Sequence, residues 1–288
     1  MVGANEILIA EDNEANRLLA LKQMERLGYP ARAVADGQEA VAAVADQPYA
    51  LVLMDCNMPQ LDGYGATRAI RGAEESTGRH TIIVAMTAGA MEDDRAACLE
   101  AGMDDYLCKP VMLADLQRVF NRWLSGTGSA GLVAAEDAPP APPALGAGAA
   151  TCDPIDQQTF DRFRSEVGGD EFAARFVQVF LRELDGRLDG LREGADACDG
   201  ELLRSLAHTL KSTSAMMGAL RLADRCRELE AAGREGSSAA AGSLVEEVRR
   251  EAEAARDALH SRGFRQEDAV AWPDAPTTTR PPSGSPLP

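Results

Sequence analysis

The sequence predicts two domains of different class: an α/β doubly wound five-stranded parallel sheet, then an all-α four-helix bundle. The chain has 288 residues, which is enough for two domains with separate cores. Its first part alternates short apolar runs with stretches of helical period, whereas its last part contains long amphipathic stretches without strand-like alternation. A segment rich in Gly, Ala and Pro separates the two parts.

The first domain is predicted over residues 1–124. Five apolar runs are predicted as strands: NEILIA, PARAVA, YALVLMD, TIIVAMT and DDYLCKP. The stretches that follow them are predicted as helices, at 14–28, 37–46, 64–75, 91–101 and 112–124. Strands that alternate with helices form a parallel sheet, and its ligand site lies at the carboxyl ends of the strands.

Residues 125–152 are predicted to form a flexible Ala/Pro/Gly linker. The second domain is predicted over 153–263, with helices at 157–166, 170–193, 199–215, 218–233 and 238–262. The polar, proline-rich tail, 264–288, has too few apolar residues to form a core, so we expect it to be disordered.

The composition of the chain excludes or disfavours several classes of protein. The chain has 46 Asp+Glu against 29 Lys+Arg, a net charge of −17, which disfavours binding to nucleic acid or to anionic lipid. Its six cysteines show no CxxC spacing, so neither a disulfide framework nor a zinc module is indicated. The chain opens without a signal peptide, and its apolar stretches are shorter than the roughly 18 residues of a membrane span. We therefore expect a cytoplasmic protein without direct membrane insertion.

Ionisable side chains collect at the predicted carboxyl edge of the sheet. Glu11 and Asp12 end the first strand, and Asp55 ends the third. Neighbouring carboxylates repel one another unless a cation lies among them, and hard oxygen ligands suit Mg²⁺. Thr87 ends the fourth strand and Lys109 follows the fifth. This set suits acceptance of a phosphoryl group by a carboxylate, although surface acids at strand ends are a common alternative.

The motifs AEDN, LVLMDCNMPQLDG, AMTA and DDYLCKP, in this order, resemble those of a response-regulator receiver domain over about residues 4–124. The resemblance implies that Asp55 is the phosphoacceptor, that Lys109 assists it, and that Thr87 and Tyr106 form the switch pair. It also implies a Mg²⁺ site made by Glu11, Asp12, Asp55 and the backbone carbonyl of Asn57. Glu11 stands where the family has Asp, a change that alters the metal geometry slightly.

His208 is one of three histidines, and its helix decides how it is interpreted. A helical wheel places it opposite an apolar side made by Leu202, Leu206, Leu210 and Met217. The wheel therefore predicts an exposed imidazole, with Arg204, Lys211 and the small Ser212 nearby. Such surroundings suit a histidine that accepts phosphoryl groups from another protein. A solvated surface histidine is the alternative.

The string AHTLKSTSAMMGALRLADRCRELE at 207–230 resembles the signature of histidine phosphotransfer (HPt) domains, and the resemblance extends over about residues 153–262. His208, Lys211 and Gly218 stand at the family's spacing. The resemblance implies that His208 is phosphorylated and that Lys211 lies beside the phosphoryl group. Ser212 stands where many members have Gly.

The two resemblances together predict a phosphorelay intermediate in two-component signal transduction. A histidine kinase would phosphorylate Asp55, the phosphoryl group would pass to His208, and a downstream response regulator would take it from there. The two domains, linker and tail leave no region for an ATP-dependent kinase domain, so we expect a phosphotransfer protein. Whether the transfer from Asp55 to His208 is intramolecular stays open.

Three alternatives remain from the sequence. The receiver could be a phosphorylation-controlled binding switch, with the bundle as a docking module. Substitution of His208 distinguishes the two, since signalling that survives it would contradict the relay. A DNA-binding regulator is disfavoured by the acidic second domain, which shows no helix-turn-helix. The chain could also be the carboxyl-terminal part of a hybrid sensor kinase.

Overall fold

The computed structural model describes residues 6–87, 92–124, 153–235 and 238–264. They form a sheet domain within 6–124 and a bundle domain within 153–264. The predicted linker, 125–152, and the predicted tail from 265 onward lie outside the described residues. Phe264, the first residue of the predicted tail, packs against Phe160 with 5.7 Å between ring centroids. The described bundle therefore extends to Phe264.

Five parallel strands form one sheet in the order β2-β1-β3-β4-β5, which confirms the predicted class. They are β1 (Ile7–Ala10), β2 (Ala31–Val34), β3 (Leu51–Asp55), β4 (Ile83–Thr87) and β5 (Asp105–Cys108). The strands β1, β3 and β4 are buried along their whole length, because helices cover both faces of the sheet, and they therefore lack polar alternation. Ala10 lies opposite Met54 in the register of β1 and β3. The next residues, Glu11 and Asp55, are therefore neighbours at the carboxyl edge.

The helices of the sheet domain are α1 (Glu14–Leu27), α2 (Gly37–Asp46), α3 (Gly63–Thr77), α4 (Glu92–Glu100) and α5 (Leu113–Leu124). Asn13, Asp36 and Asp62 cap the first three helices, since each side chain accepts a bond from the backbone N–H three residues later. The helices α1 and α5 cover one face of the sheet, and α2 and α3 cover the other.

The bundle domain contains α6 (Gln157–Glu166), α7 (Asp170–Asp196), α8 (Gly200–Met216), α9 (Leu220–Glu235) and α10 (Ser238–Ser261). The four long helices, α7 to α10, pack as the predicted bundle, and α6 lies against α7 and α8. In the core, the rings of Phe163 and Phe176 are 4.9 Å apart. Within the described ranges, every helix is too short or too polar to cross a membrane.

Gly218 forms the turn between α8 and α9. Its φ of +80° lies in the left-handed region, and a Cβ there would approach the carbonyl oxygen of Asp156 to 2.6 Å. The backbone N–H of Asp156 also donates to the carbonyl of Gly218 at 2.8 Å. Glycine is therefore required at this turn, which ties the segment before α6 to the end of α8.

The two domains contact each other chiefly through α1, which packs against α7 and lies beside the end of α8. Ala15 and Leu19 on α1 are 0% and 5% exposed and belong to the same apolar cluster as the core of the bundle. Leu19 also shares a cavity with Met216, the last residue of α8. One face of α1 thus packs on the sheet and another packs on the bundle.

Candidate functional site

The carboxylates of Glu11, Asp12 and Asp55 meet at the carboxyl edge of the sheet. One oxygen from each lies within 4.8 Å of the others. Glu11 and Asp55 are 2% and 1% exposed. The adjacent strands β1 and β3 bring them together, as the sequence predicts.

Lys109 follows β5 and reaches into this cluster. Its Nζ lies 2.6 Å from Oε2 of Glu11 and 2.7 Å from Oδ2 of Asp55. Burial alone would lower the pKa of Lys109, but the negative charges of Asp55 and Glu11 raise it above its usual value. The lysine therefore stays protonated and bridges two of the three carboxylates.

Burial and mutual repulsion disfavour ionisation of these carboxyl groups in the absence of a cation. Burial raises the pKa of Asp55 from 3.8 to about 8, with Lys109 opposing the rise and Glu11 adding to it. Burial and the neighbouring Glu11 raise the pKa of Asp12 to about 6. Oδ1 of Asp12 is buried and has no hydrogen-bond partner among the described residues. Three close carboxylates with an unpaired oxygen fit a divalent cation.

Residues of α1 hold the acidic pair in place. The Asn16 side chain donates to Oε1 of Glu11 at 2.8 Å. The Arg17 guanidinium donates to the backbone carbonyls of Glu11 and Asp12, each at 2.7 Å. Gly63 allows the start of α3 to approach β3, because a Cβ there would lie 2.1 Å from the carbonyl oxygen of Asp55. The position of Asp55 thus depends on a glycine in the LDG motif.

The other predicted residues of this domain lie on neighbouring strands and loops. Thr87 ends β4, is 4% exposed, and pairs in register with Cys108 of β5. Tyr106 lies two residues earlier on β5 and therefore points to the same face of the sheet as Thr87. The guanidinium of Arg95 lies 5.8 Å from the ring centroid of Tyr106. Asn57 donates its backbone N–H to Oδ1 of Asp55 at 3.1 Å.

His208 lies on α8 and is only 4% exposed, so the prediction of an exposed imidazole is wrong. The wheel considers one helix alone, whereas a neighbouring helix and the sheet domain both approach this face. Nε2 of His208 is buried without a hydrogen-bond partner in the described parts of the chain. Leu202, predicted to face the core, is instead 37% exposed.

Glu230 on α9 binds the other nitrogen of His208, with 3.0 Å between Oε1 and Nδ1. Its second oxygen forms an ion pair with Lys211. Burial alone would raise the pKa of Glu230, but His208 and Lys211 lower it from 4.5 to about 2. An ionised carboxylate accepts hydrogen bonds, so Nδ1 carries the imidazole proton and Nε2 keeps its lone pair.

Burial lowers the pKa of His208, and the charges of Lys109 and Lys211 lower it further, against the effect of Glu230. The imidazole is therefore neutral near pH 7. A neutral imidazole with a fixed tautomer and a free Nε2 is a nucleophile.

Two family models match separate parts of the chain. Residues 7–121 match the response regulator receiver domain, and residues 175–258 match the Hpt domain. The chain joins a receiver domain to an HPt domain. The sheet domain is the receiver and the bundle is the HPt domain, which confirms both resemblances.

Curated relatives match most of this chain within longer chains. The sensor histidine kinase GacS of Pseudomonas protegens is 32% identical over 231 residues, which are 79% of this chain and 24% of the relative. The sensory/regulatory protein RpfC of Xanthomonas campestris pv. campestris is 26% identical over 230 residues, which are 79% of this chain and 30% of the relative. The chain thus spans less than a third of either relative.

Among solved structures, the receiver domain of a sensor histidine kinase from Pseudomonas aeruginosa PAO1 is similar to this receiver. It shares 47% sequence identity, covers 43% of this chain and 99% of its own, and gives a TM-score of 0.40. That crystal structure has a magnesium ion coordinated in the active site cleft.

The receiver and HPt sites face each other across the domain boundary. Nη1 of Arg204 on α8 donates to Oδ1 of Asn57, two residues after Asp55, at 3.1 Å. Lys109 of the receiver influences the pKa of His208 in the HPt domain. The predicted residues of the two domains therefore belong to one continuous region.

Sequence reasoning missed two contacts in this region. Glu230 closes the HPt motif string, but its pairing with His208 depends on how α8 packs against α9. Arg204 was expected near His208, yet no pattern in the sequence indicates its bond to Asn57. Both contacts join residues on different elements. The sequence offered one indication of the first contact, which is the acidic residue Glu230 on the helix that follows His208.

Proposed function

We propose that this chain is a phosphorelay intermediate, in which Asp55 receives a phosphoryl group from a histidine kinase and His208 relays it to a downstream response regulator. The observation that carries the proposal is the pairing of two complementary sites. One is a carboxylate held against Lys109, and the other is a neutral imidazole whose Nε2 is free of hydrogen bonds within the described residues.

In the receiver, Asp55 acts as the nucleophile. An oxygen of its carboxylate attacks phosphorus, and the bond from phosphorus to the donor breaks with its electron pair leaving on the donor. Lys109 neutralises charge on the transferring oxygens, and the Thr87 hydroxyl binds another of them. Thr87 and Tyr106 then act as the switch pair.

The donor set of the receiver suits Mg²⁺. We assign the ligands as the carboxylates of Glu11, Asp12 and Asp55 and the backbone carbonyl of Asn57. All are hard oxygen donors, and the unpaired Oδ1 of Asp12 supports the assignment. When bound, the ion supplies positive charge to the phosphoryl oxygens.

In the HPt domain, Nε2 of His208 is the phosphoryl acceptor. Glu230 holds the proton on Nδ1 and stabilises the positive charge that develops on the ring as Nε2 attacks. Lys211 lies on the other oxygen of Glu230 and contributes positive charge beside the phosphoryl group.

The same assignment applies if the chain is the carboxyl-terminal part of a hybrid sensor kinase, which its match to GacS and RpfC favours. The histidine kinase would then be a preceding region of the same protein, and the response regulator would be a separate partner.

The test is intact-mass and phosphate-lability analysis after incubation with Mg²⁺ and a small-molecule phosphodonor, on the wild type and the variants Asp55→Ala and His208→Ala. We expect a base-labile phosphoryl group in His208→Ala. In the wild type we expect acid-labile phosphohistidine that requires Asp55. Modification of Asp55 without any modification of His208, even when a phosphorylated partner receiver is supplied, would instead make the bundle a docking module.

A further inference from the structure

We propose that the phosphoryl group passes between Asp55 and His208 of the same chain, in the docked arrangement in which α1 of the receiver packs on α7 and lies beside the end of α8. The inference rests on the proposed function. It adds that the receiver domain that donates the phosphoryl group to this HPt domain is the one on the same chain. Three sets of contacts carry it.

The first is apolar. Ala15 and Leu19 on α1 are buried in the core cluster of the bundle, and the partly buried Leu18 packs against the same cluster. These side chains belong to the apolar cluster of the bundle and not to either apolar cluster of the sheet domain, so the contact with the bundle contributes to their burial. Loss of apolar exposed area favours the docked arrangement.

The second set is polar and surrounds the apolar contact. Arg182 on α7 pairs with Glu14 at the start of α1, with 2.7 Å between Nη2 and Oε1. Arg26, at the end of α1, donates to the backbone carbonyls of Ser165 and Glu166 at the end of α6. Exposed pairs add little affinity, but pairs at both ends of α1 fix its orientation on the bundle.

The third set joins the two sites. Arg204 bonds to Asn57 beside Asp55. Arg187 on α7 lies near enough to Asp12 for its charge to lower the pKa of that carboxyl. Its Nη2 pairs with Glu183 on the same helix, whereas its Nη1 is buried without a hydrogen-bond partner in the described ranges. Nε2 of His208 is likewise buried and unpaired within those ranges. The HPt domain thus brings two cations and one nucleophile to the rim of the acidic cluster.

In this arrangement the transfer is a direct displacement. The lone pair of Nε2 attacks phosphorus, and the P–O bond to the Asp55 carboxylate breaks as the P–N bond forms. The electron pair of the broken bond returns to the carboxylate, and Nδ1 keeps its proton in the bond to Glu230. Arg187 and Arg204 are positioning residues that keep the phosphoryl group between the two acceptors.

The deciding experiment compares transfer within one chain and between chains, using full-length protein. In the wild type, we expect phosphohistidine to form at a rate that is independent of protein concentration over a hundredfold dilution. In a mixture of His208→Ala, loaded at Asp55, with Asp55→Ala, we expect slow transfer that is proportional to concentration. Wild-type transfer that scales with concentration, or a mixture as fast as the wild type at micromolar concentration, would overturn the inference.

A charge swap tests the docked geometry without touching either site. We expect Glu14→Arg and Arg182→Glu each to slow intrachain transfer about two- to fivefold, and the double variant to restore it. Loading of Asp55 by the small-molecule donor should not change. The matched control is the pair of Arg221 and Glu251 inside the bundle, 2.9 Å apart, where Arg221→Glu should leave the transfer rate unaltered. Single swaps without effect, or a double variant no faster than the singles, would contradict the docking.

Failure of the inference is distinguishable from failure of the proposed function. If His208 accepts phosphoryl groups only between chains, the phosphorelay stands and the intrachain step is wrong. If His208 is not modified in the wild type or in the mixture, the proposed function fails.

Discussion

Oε1 of Glu230 lies 3.0 Å from Nδ1 of His208, in a buried contact between α9 and α8. The carboxylate fixes the tautomer that leaves Nε2 available. The pair links the packing of the bundle to the chemistry of the histidine, since any shift of α9 along α8 would release the imidazole.

Replacing Glu230 with Gln should slow phosphorylation of His208 about tenfold or more, because hydrogen bonds to charged groups contribute about 1.5–3 kcal/mol. The measurement is the rate of phosphohistidine formation. Glu228→Gln, on the same helix but half-exposed, is the matched control and should react at the wild-type rate. Equal rates for both variants would show that Glu230 does not assist the histidine.

The bundle should lose stability in acid. Glu230 has a pKa of about 2 in the folded protein and an ordinary value of 4.5, so its contribution is present above pH 4.5 and is lost as pH falls towards 2. The pKa of His208 is also lowered from 6.5, so the folded state binds its proton less readily than the unfolded chain. Stability should therefore fall as pH drops below about 6.5.

Thermal unfolding of the wild type and Glu230→Gln between pH 3 and pH 7 would check this. The difference between the two proteins should be largest at pH 7 and should shrink towards pH 3. A difference that does not change with pH would assign the stability to packing rather than to the charge of Glu230.

Gly218→Ala should destabilise the HPt domain by roughly 2–3 kcal/mol, because the position combines a positive φ with a close approach to Asp156. Urea unfolding measures the change. Gly242→Ala is the matched control: a Cβ there meets no described atom within 4 Å, and the residue lies within α10. That variant should be stabilised by up to about 1 kcal/mol. A Gly242→Ala variant that is less stable than Gly218→Ala would contradict the assigned role of Gly218.

Asp12→Asn should weaken Mg²⁺ binding at least about tenfold, since it removes one of the charges that favour a divalent ion. Titration calorimetry of the full chain with Mg²⁺ is the measurement. Asp46→Asn, at the exposed end of α2, removes the same charge elsewhere and should bind as the wild type does. A wild type that binds no Mg²⁺, or an Asp12→Asn variant that binds it equally well, would reject the proposed metal site.

The sequence predicted those features that depend on local pattern or strand order. The apolar run TIIVAMT forms β4 at Ile83–Thr87, and the amphipathic stretch 157–166 forms α6 with the predicted bounds. Parallel strands bring their ends to one edge, so the meeting of Glu11, Asp55 and Lys109 was also predictable.

Features that depend on contacts between elements were not predictable. The helical wheel described α8 by itself and therefore left His208 exposed, whereas Glu230 and the receiver cover it. The opposite error occurred at Leu202, which the wheel placed on the buried side but which is 37% exposed. No periodicity in α1 distinguishes the side chains that face the sheet from those, such as Leu19, that face the bundle.

If Asp55 and His208 carry the phosphoryl group as proposed, their burial would affect how long that group lasts. Asp55 and His208 are 1% and 4% exposed in the docked arrangement. The docked arrangement would exclude the water that hydrolyses an acyl phosphate. It would also exclude an external kinase or regulator from Asp55 and His208. Docking would therefore lengthen the lifetime of the phosphorylated chain and prevent other proteins from reaching its phosphorylation sites. The rate at which the two domains separate would then limit the rate of phosphoryl transfer to and from partner proteins.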